Sequence, residues 1–147
     1  MSPEEQLQVV DAVAETLKDS SADVRKEAFH CLVGLGLDGL GRIIDVIGDQ
    51  ATSLECKREA VQAIGSAFAE GKVDKSKMVK VAIKALEECL DKENDSLSEA
   101  AIVALGEIGT QAISTKPKLL VLLNSKKDNN RICVKIGSAL LNISPIH

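Results

Sequence analysis

Residues 22–36 read ADVRKEAFHCLVGLG, and the spacing of the apolar residues in this stretch decides the predicted fold. Val24, Ala28, Cys31, Leu32 and Leu35 follow one another at helical intervals. In an α-helix this spacing places all five side chains on one face, whereas a half-buried β-strand needs strict alternation. The stretch therefore predicts an amphipathic helix that turns these residues toward a core.

The same apolar face returns three more times along the chain. Displacements of 32, 73 and 108 residues from Val24 lead to Cys56, Leu97 and Ile132, and apolar residues follow each at the same offsets. Successive repeats are thus 32, 41 and 35 residues apart, a spacing typical of helical repeat proteins. Another amphipathic pattern precedes each of these helices. The sequence therefore predicts four helical hairpins with eight helices.

Residues that start and stop helices separate the hairpins. Ser2-Pro3-Glu4-Glu5 has the pattern of an N-cap, a proline at the first helical position and a capping-box glutamate. Gly36, Gly71 and Gly109 stand where helices are expected to end. The predicted organisation is a single all-α domain over residues 1–147, with repeats at about 2–37, 40–71, 76–110 and 116–144.

Two stretches resemble the HEAT-repeat (armadillo-like) α-solenoid family. One combines Leu17-Lys18-Asp19 with Asp23-Val24-Arg25 and the apolar residues up to Gly36, and the other is AIVALGEIG at residues 101–109. The resemblance implies a right-handed superhelix of stacked hairpins, in which Arg25 bonds to an acidic residue of a neighbouring turn. The other repeats depart from the family pattern at this position, where they carry Lys57, Ser98 and Cys133.

The composition argues against several classes of function. Phe29 and Phe68 are the only aromatic residues, too few for a surface that stacks nucleobases or cages a cation. The net charge is −4, which does not favour nucleic-acid binding by the chain as a whole. The four cysteines form no CxxC pair and there are two histidines, so no metal and no other cofactor is predicted.

The ends and the cysteines also suggest a compartment. The N-terminal residues are acidic, which does not fit a secretory leader, and no apolar run approaches the length of a membrane span. The four thiols are therefore expected to be reduced and mostly buried, in a cytoplasmic protein without membrane contact.

No catalytic constellation stands out in the sequence. His30 precedes Cys31, but neighbouring helical residues point about 100° apart, and we interpret the pair as a surface histidine beside a buried cysteine. HEAT-like hydroxylases bind iron through His-Glu pairs, which this sequence lacks, and HEAT-like DNA glycosylases rely on aromatic residues and a basic groove. A HEAT-like lyase or isomerase, or an accessory subunit of an enzyme, remains the alternative to a non-catalytic role.

In a solenoid the second helix of each hairpin lines the concave face. The positions on these helices that point away from the core predict a partner-binding surface formed by Lys26, His30, Val33, Arg58, Gln62, Glu99 and Val103. This surface is cationic at one end and more apolar toward the other, which suits a protein segment with an acidic part beside an apolar part. The predicted function is a non-catalytic protein-binding scaffold or adaptor.

Charge is distributed unevenly along the chain. Residues 1–50 hold 4 basic and 10 acidic residues, whereas residues 97–147 hold 6 basic and 3 acidic residues. Two ends of opposite charge predict weak head-to-tail self-association. The alternative is that the basic C-terminal half contacts an acidic partner or, weakly, nucleic acid through Lys116, Lys118, Lys126, Lys127, Arg131 and Lys135. Lys77, Lys80 and Lys84 share one helix face and form another candidate surface for an anionic partner.

Overall fold

The computed structural model describes residues 1–71, 75–90 and 94–144, with side chains from Met78 onward in the second range. About 85% of the described residues are helical, and none of them forms a strand, so the all-α prediction is confirmed. The α-helices are α1 (Pro3–Glu15), α2 (Ala22–Gly34), α3 (Leu37–Gly48), α4 (Leu54–Ala69), α5 (Lys75–Leu90), α6 (Asp95–Ile108), α7 (Lys116–Ser125) and α8 (Asn130–Ile143).

The prediction of eight separate helices was wrong in the last part of the chain. A 3₁₀ segment, Gly109–Thr115, follows directly on the end of α6 and leads directly into the start of α7. The described residues therefore form seven continuous helical segments, because another 3₁₀ turn, Thr16–Lys18, simply extends α1. The chain still changes direction at Ala112, whose backbone angles of φ −93° and ψ 17° are not helical.

The chain divides into two compact units, Met1–Asp74 and Lys75–His147. In the first unit α2 packs against α1, α3 and α4, and the buried side chains include Leu32, Leu40, Ile43 and Ile64. In the second unit α6 packs against α5 and α8, and α8 also contacts α7; the buried side chains include Leu86, Leu105, Leu119 and Ile132. Each unit thus buries its apolar stripes by packing helix on helix.

The helix ends form as the sequence predicts. The Ser2 hydroxyl accepts a hydrogen bond from the Glu5 amide at 3.2 Å, and the Glu5 carboxylate accepts one from the Ser2 amide at 2.9 Å, which completes the capping box. The Ser2 backbone amide, which donates to the Glu5 carboxylate, is the main reason that the pKa of Glu5 is held below its ordinary value. Gly36, Gly71 and Gly109 all have positive φ and end helices, which confirms their predicted role.

The predicted core face of α2 was wrong in part. Ala28 and Leu32 are buried as expected, but Val24 is 41% exposed and Cys31 is also exposed. Arg25, Phe29 and Val33 are buried instead. The reason is that the helices that contact α2 are α1, α3 and α4, and no described helix covers Val24 and Cys31. Cys31 is therefore a surface thiol, and Val33 does not project into solvent.

The contact between α2 and α3 depends on the absence of a side chain at Gly39. A Cβ atom built on Gly39 would collide with the Leu32 carbonyl oxygen of α2, whereas one built on Gly41 meets nothing within 4 Å. Both glycines lie in α3. Of these two glycines of α3, only Gly39 is therefore required by the packing.

We predict that Gly39→Ala destabilises the protein and that Gly41→Ala does not. The collision at Gly39 is with backbone, which cannot rotate away, so a cost of about 1–3 kcal/mol is expected. Gly41→Ala is expected to stabilise by about 0.5–1 kcal/mol, since alanine loses less backbone entropy in a helix. The measurement is urea unfolding followed by circular dichroism, because the chain has no Trp or Tyr. Equal stability of the two variants would contradict the close contact.

Candidate functional site

A groove runs between α2 and α4 within the first unit. It encloses a volume of about 490 Å³, enough for a few side chains of a bound segment. The two helices form its walls because they pack directly against each other. Their lining positions recur at intervals of three or four residues, so one face of each helix borders the groove along its length.

The floor of the groove is apolar and its middle section has polar walls. Phe29, Val33 and Ala67 are buried at the bottom. Above them, α2 presents the exposed side chains of Lys26 and His30, one helical turn apart, and α4 presents the exposed side chains of Gln62 and Ser66. The arrangement can receive an apolar side chain below and hydrogen-bonding groups along both sides.

Arg25 links α2 and α4, the two helices that form the walls of the groove. Its guanidinium donates through Nε to Glu59 Oε1 at 2.7 Å and through Nη2 to Glu59 Oε2 at 3.4 Å. It also donates through Nη1 to the Asp19 carbonyl at 2.9 Å, which ties the loop before α2 to the same point. Both side chains of the Arg25–Glu59 pair are largely buried. The HEAT resemblance implied a contact of Arg25 with an acidic residue of a neighbouring turn; in the structure the acidic residue that Arg25 contacts most closely is Glu59 of α4.

The charges along the groove are mixed. Glu59 lines one end, but its carboxylate is held by Arg25. Asp23 and Glu70 lie near the two ends of the lining. Among the side chains that the structure describes, Lys26 has no ion-pair partner within 4.0 Å, so its ammonium is available at the groove wall.

The structure brings four of the predicted partner-binding residues together and leaves the others elsewhere. Lys26, His30, Val33 and Gln62 all line the groove. Arg58 is exposed on α4 but is not part of the lining. Glu99 and Val103 lie on α6 in the second unit.

Several basic residues of the second unit already have acidic partners. Arg131 pairs with Glu99 at 2.7 Å, Lys118 with Glu87 at 2.9 Å, and Lys126 with Asp95 at 2.8 Å. The Lys126 ammonium, which donates to Asp95, keeps the pKa of that carboxyl below its ordinary value. These pairs leave fewer cations for an acidic partner or a nucleic acid than the sequence suggests.

The lysine stripe of α5 is described only in part. Lys80 and Lys84 are exposed one turn apart, as expected for a shared face. Lys77 lies outside the residues whose side chains are described.

Sequence reasoning missed most of the α4 wall. Glu59, Ser66 and Glu70 line the groove, with Ala63 and Ala67 below them. A usable signal was present, because Glu59 follows Arg25 by 34 residues, about one repeat, and carries the opposite charge. The remaining positions follow Glu59 at helical intervals.

A second cavity in the first unit has a different character. It encloses about 710 Å³ beside Arg25, Arg42 and the buried Cys56. Arg42 pairs with Asp11, and the Cys56 thiol donates to the Leu17 carbonyl at 3.8 Å. Burial, together with the nearby Glu59 carboxylate, raises the pKa of Cys56 and makes it a poor nucleophile. Arg25, Arg42 and Cys56 at this cavity are thus each engaged by other residues of the first unit.

Neither a metal-binding cluster nor a membrane-spanning helix is present among the described residues. Among the described side chains, no group of three or more His, Cys, Asp or Glu residues is placed to hold a metal ion. In the described ranges, no helix has the length and apolar character to cross a membrane.

Comparison with known proteins adds no relative. Neither a protein-family model nor a curated protein matches the sequence significantly.

We predict that Arg25 and Glu59 are strongly coupled in stability. Arg25→Met and Glu59→Gln should each lower the melting temperature, because each removes the nearest charged partner of a largely buried group. When Arg25→Met is already present, Glu59→Gln should lower the stability of the protein by clearly less than it does in the wild type. The measurement is a double-mutant cycle by thermal unfolding.

The matched control is Arg131→Met with Glu99→Gln. This pair has the same chemistry and a similar distance, but Arg131 is 77% exposed. Its coupling should stay below about 1 kcal/mol. A coupling at Arg25–Glu59 no larger than that of the control would show that the pair does not fasten the groove walls.

Proposed function

We propose that this protein is a non-catalytic scaffold or adaptor that binds a segment of another protein in the groove between α2 and α4. The groove is the observation that carries the proposal. It combines an apolar floor, at Phe29 and Val33, with walls whose polar groups have different chemistries. Most peptide-binding grooves use this division, with apolar anchors for affinity and polar walls for orientation.

We also propose that the chain is a HEAT-like array of four hairpins forming one right-handed solenoid. The support is the sequence repeat of 32, 41 and 35 residues, the helix-on-helix packing inside each unit, and the Arg25–Glu59 contact. In such an array the helices α2, α4, α6 and α8 are equivalent. The groove between α2 and α4 is then one of the concave-face grooves in which solenoids bind partners.

The walls indicate the chemistry of the bound segment. Lys26 has no acidic partner among the described side chains, and Glu59 is neutralised by Arg25. A suitable segment places a carboxylate or backbone carbonyl against the Lys26 ammonium and an apolar side chain above Phe29 on the groove floor. Gln62 and Ser66 on the opposite wall can donate to or accept from its backbone. We therefore propose a partner segment with an acidic residue beside an apolar anchor.

A binding role accounts for the groove more simply than a catalytic one. A nucleophile activated by a base would need the two side chains in hydrogen-bond contact. The Glu59 carboxylate, which lines the groove, accepts its hydrogen bonds from Arg25 of α2. That contact neutralises the carboxylate.

Two charge-reversal variants test the location of the site. Lys26→Glu changes the groove wall, whereas Arg58→Glu makes the same change of charge on an exposed residue outside the lining. Partners are captured from a lysate of the source cells on the immobilised wild-type protein and identified by mass spectrometry. The affinity of the purified partner is then measured for all three proteins.

We predict that Lys26→Glu weakens binding of that partner at least about tenfold, a loss of about 1.4 kcal/mol, because it places a carboxylate against an acidic segment. Arg58→Glu should change the affinity by less than about twofold, since the exposed charge acts only at long range. Equal binding by wild type and Lys26→Glu would contradict the groove as the site. Failure to capture any specific protein would contradict the adaptor role.

A further inference from the structure

The equivalent helices α2, α6 and α8 differ in which of their sides are covered. In α6 both flanks are buried, since Ala104 on one flank is 1% exposed and Ile102 on the other is fully buried. In α2 and α8 one flank is covered and the other is open to solvent. The two open flanks are opposite ones, and this difference is the basis of the inference.

The open flank of α2 comprises Val24, Glu27, Cys31 and Gly34, all exposed. The repeat spacing of 73 residues makes Val24 equivalent to Leu97 and Cys31 equivalent to Ala104 in α6. Both α6 residues are 1% exposed, whereas Val24 is 41% exposed. We call these four residues the α2 edge. It has the apolar residues of a buried flank but no described helix against it.

The open flank of α8 comprises Gly137 and Leu141, with Cys133 and Leu140 half-buried beside them. The repeat spacing of 35 residues makes Gly137 equivalent to Ile102 and Leu141 equivalent to Gly106 in α6. Ile102 and Gly106 are buried, but Leu141 is 64% exposed. We call these four residues the α8 edge. The α8 edge is thus an apolar surface without a described helix against it.

The contact between α6 and α8 shows how two such flanks fit. Gly106 lies so close to α8 that a Cβ built on it would be 3.1 Å from Ala139 Cα. The equivalents of Gly106 and Ala139 are Leu141 on the α8 edge and Cys31 on the α2 edge. Leu141 is larger than Gly106, but the α2 edge carries Gly34 at the position equivalent to Asn142, whose side chain would lie 3.6 Å from a Cβ built on Gly106.

Charge complements this fit. Residues 1–74 hold 7 basic and 14 acidic residues, and residues 75–147 hold 11 basic and 8 acidic residues, so their net charges are −7 and +3. Asp23 and Glu27 are exposed at the α2 edge, while Lys116 and Lys127 are exposed in the last hairpin. Opposite net charge attracts the α2 edge of one molecule to the α8 edge of another and disfavours the contact of two like edges.

We propose that a second copy of this chain is the occupant of the α8 edge, bound through its own α2 edge. The two surfaces differ, so the contact is heterologous, and each added copy exposes a new α8 edge. The association is therefore open-ended and grows with concentration. It uses neither the floor nor the α4 wall of the α2–α4 groove, so either contact can form without the other.

Analytical ultracentrifugation in a reducing buffer tests the proposal, with the reductant excluding disulfides between exposed Cys31 thiols. At an ionic strength of about 0.01 M, where the Debye length is about 30 Å, the mass should rise with concentration beyond twice the monomer. The monomer mass is 15.6 kDa. At an ionic strength of about 1 M, where the Debye length is about 3 Å, most of this association should disappear. Monomer at every concentration in low salt would overturn the proposal.

Two edge variants and a control locate the contact. Leu141→Asp blocks the α8 edge and Cys31→Asp blocks the α2 edge, and both residues are exposed, so the monomers should keep the wild-type circular dichroism. Each variant alone should stay monomeric. Val103→Asp places the same charge on the part of α6 left exposed between its flanks, and should associate like the wild type.

Mixing the two edge variants distinguishes the head-to-tail contact from a symmetric one. Each variant retains one intact edge, so an equimolar mixture should form dimers of one copy of each and grow no further. A wild-type dimer that Leu141→Asp abolishes and Cys31→Asp preserves would indicate two α8 edges in contact and would overturn the proposal. Loss of association in Val103→Asp would overturn it as well. Because the groove variants Lys26→Glu and Arg58→Glu leave both edges intact, failure of one proposal leaves the other testable.

Discussion

None of these helices is long enough to be stable by itself, and this constraint shapes the rest of the structure. The α-helices have 10 to 16 residues, a length at which an isolated helix is marginal in water. Each must therefore bury its apolar stripe against neighbours, and α6 does so on both flanks. The close contacts at Gly39 with Leu32 and at Gly106 with Ala139 exist because small residues let the helix axes approach. A helix with one neighbour missing, such as α2 or α8, keeps an apolar flank in solvent.

Ion pairs fix the register of this packing. Equivalent helices of successive hairpins are joined by Asp11–Arg42, Arg25–Glu59, Glu87–Lys118 and Glu99–Arg131, whose members are 31 to 34 residues apart. The chain thus repeats in its charges as well as in its apolar stripes. The consequence for function is that a cation in such a pair is not available to a partner. Lys26 lies beside the Arg25–Glu59 pair without belonging to it. The Lys26 ammonium is therefore the cation of the groove wall that a partner can contact.

The sequence predicts the stripe of α6 fully, because Leu97, Ala101, Ala104, Leu105 and Ile108 are all buried. The same pattern predicts α2 less well, since periodicity identifies the apolar face of a helix but not which flanks have neighbours. Val24 and Cys31 are apolar residues, but they lie on a flank of α2 that no described helix covers. The groove was partly predictable for the same reason: Lys26, His30 and Gln62 follow from helical geometry, but the α4 wall depends on which helix packs against α2. The 3₁₀ joint at Gly109–Thr115 was unpredictable because its residues also suit a loop.

Helix α2 carries a wall of the groove on one side and the α2 edge on the other, so the two proposed interactions are physically linked. Lys26 and His30 face the groove, and Glu27 and Cys31, each one residue further along the helix, face the edge. A partner segment that stays within the groove would still change the affinity of the second copy through its charge, and the second copy would change the affinity of the partner by the same factor. The sign follows from charge. An acidic segment at Lys26 adds negative charge near an edge that already carries Asp23 and Glu27. It therefore strengthens the attraction of this edge for the basic unit of another copy.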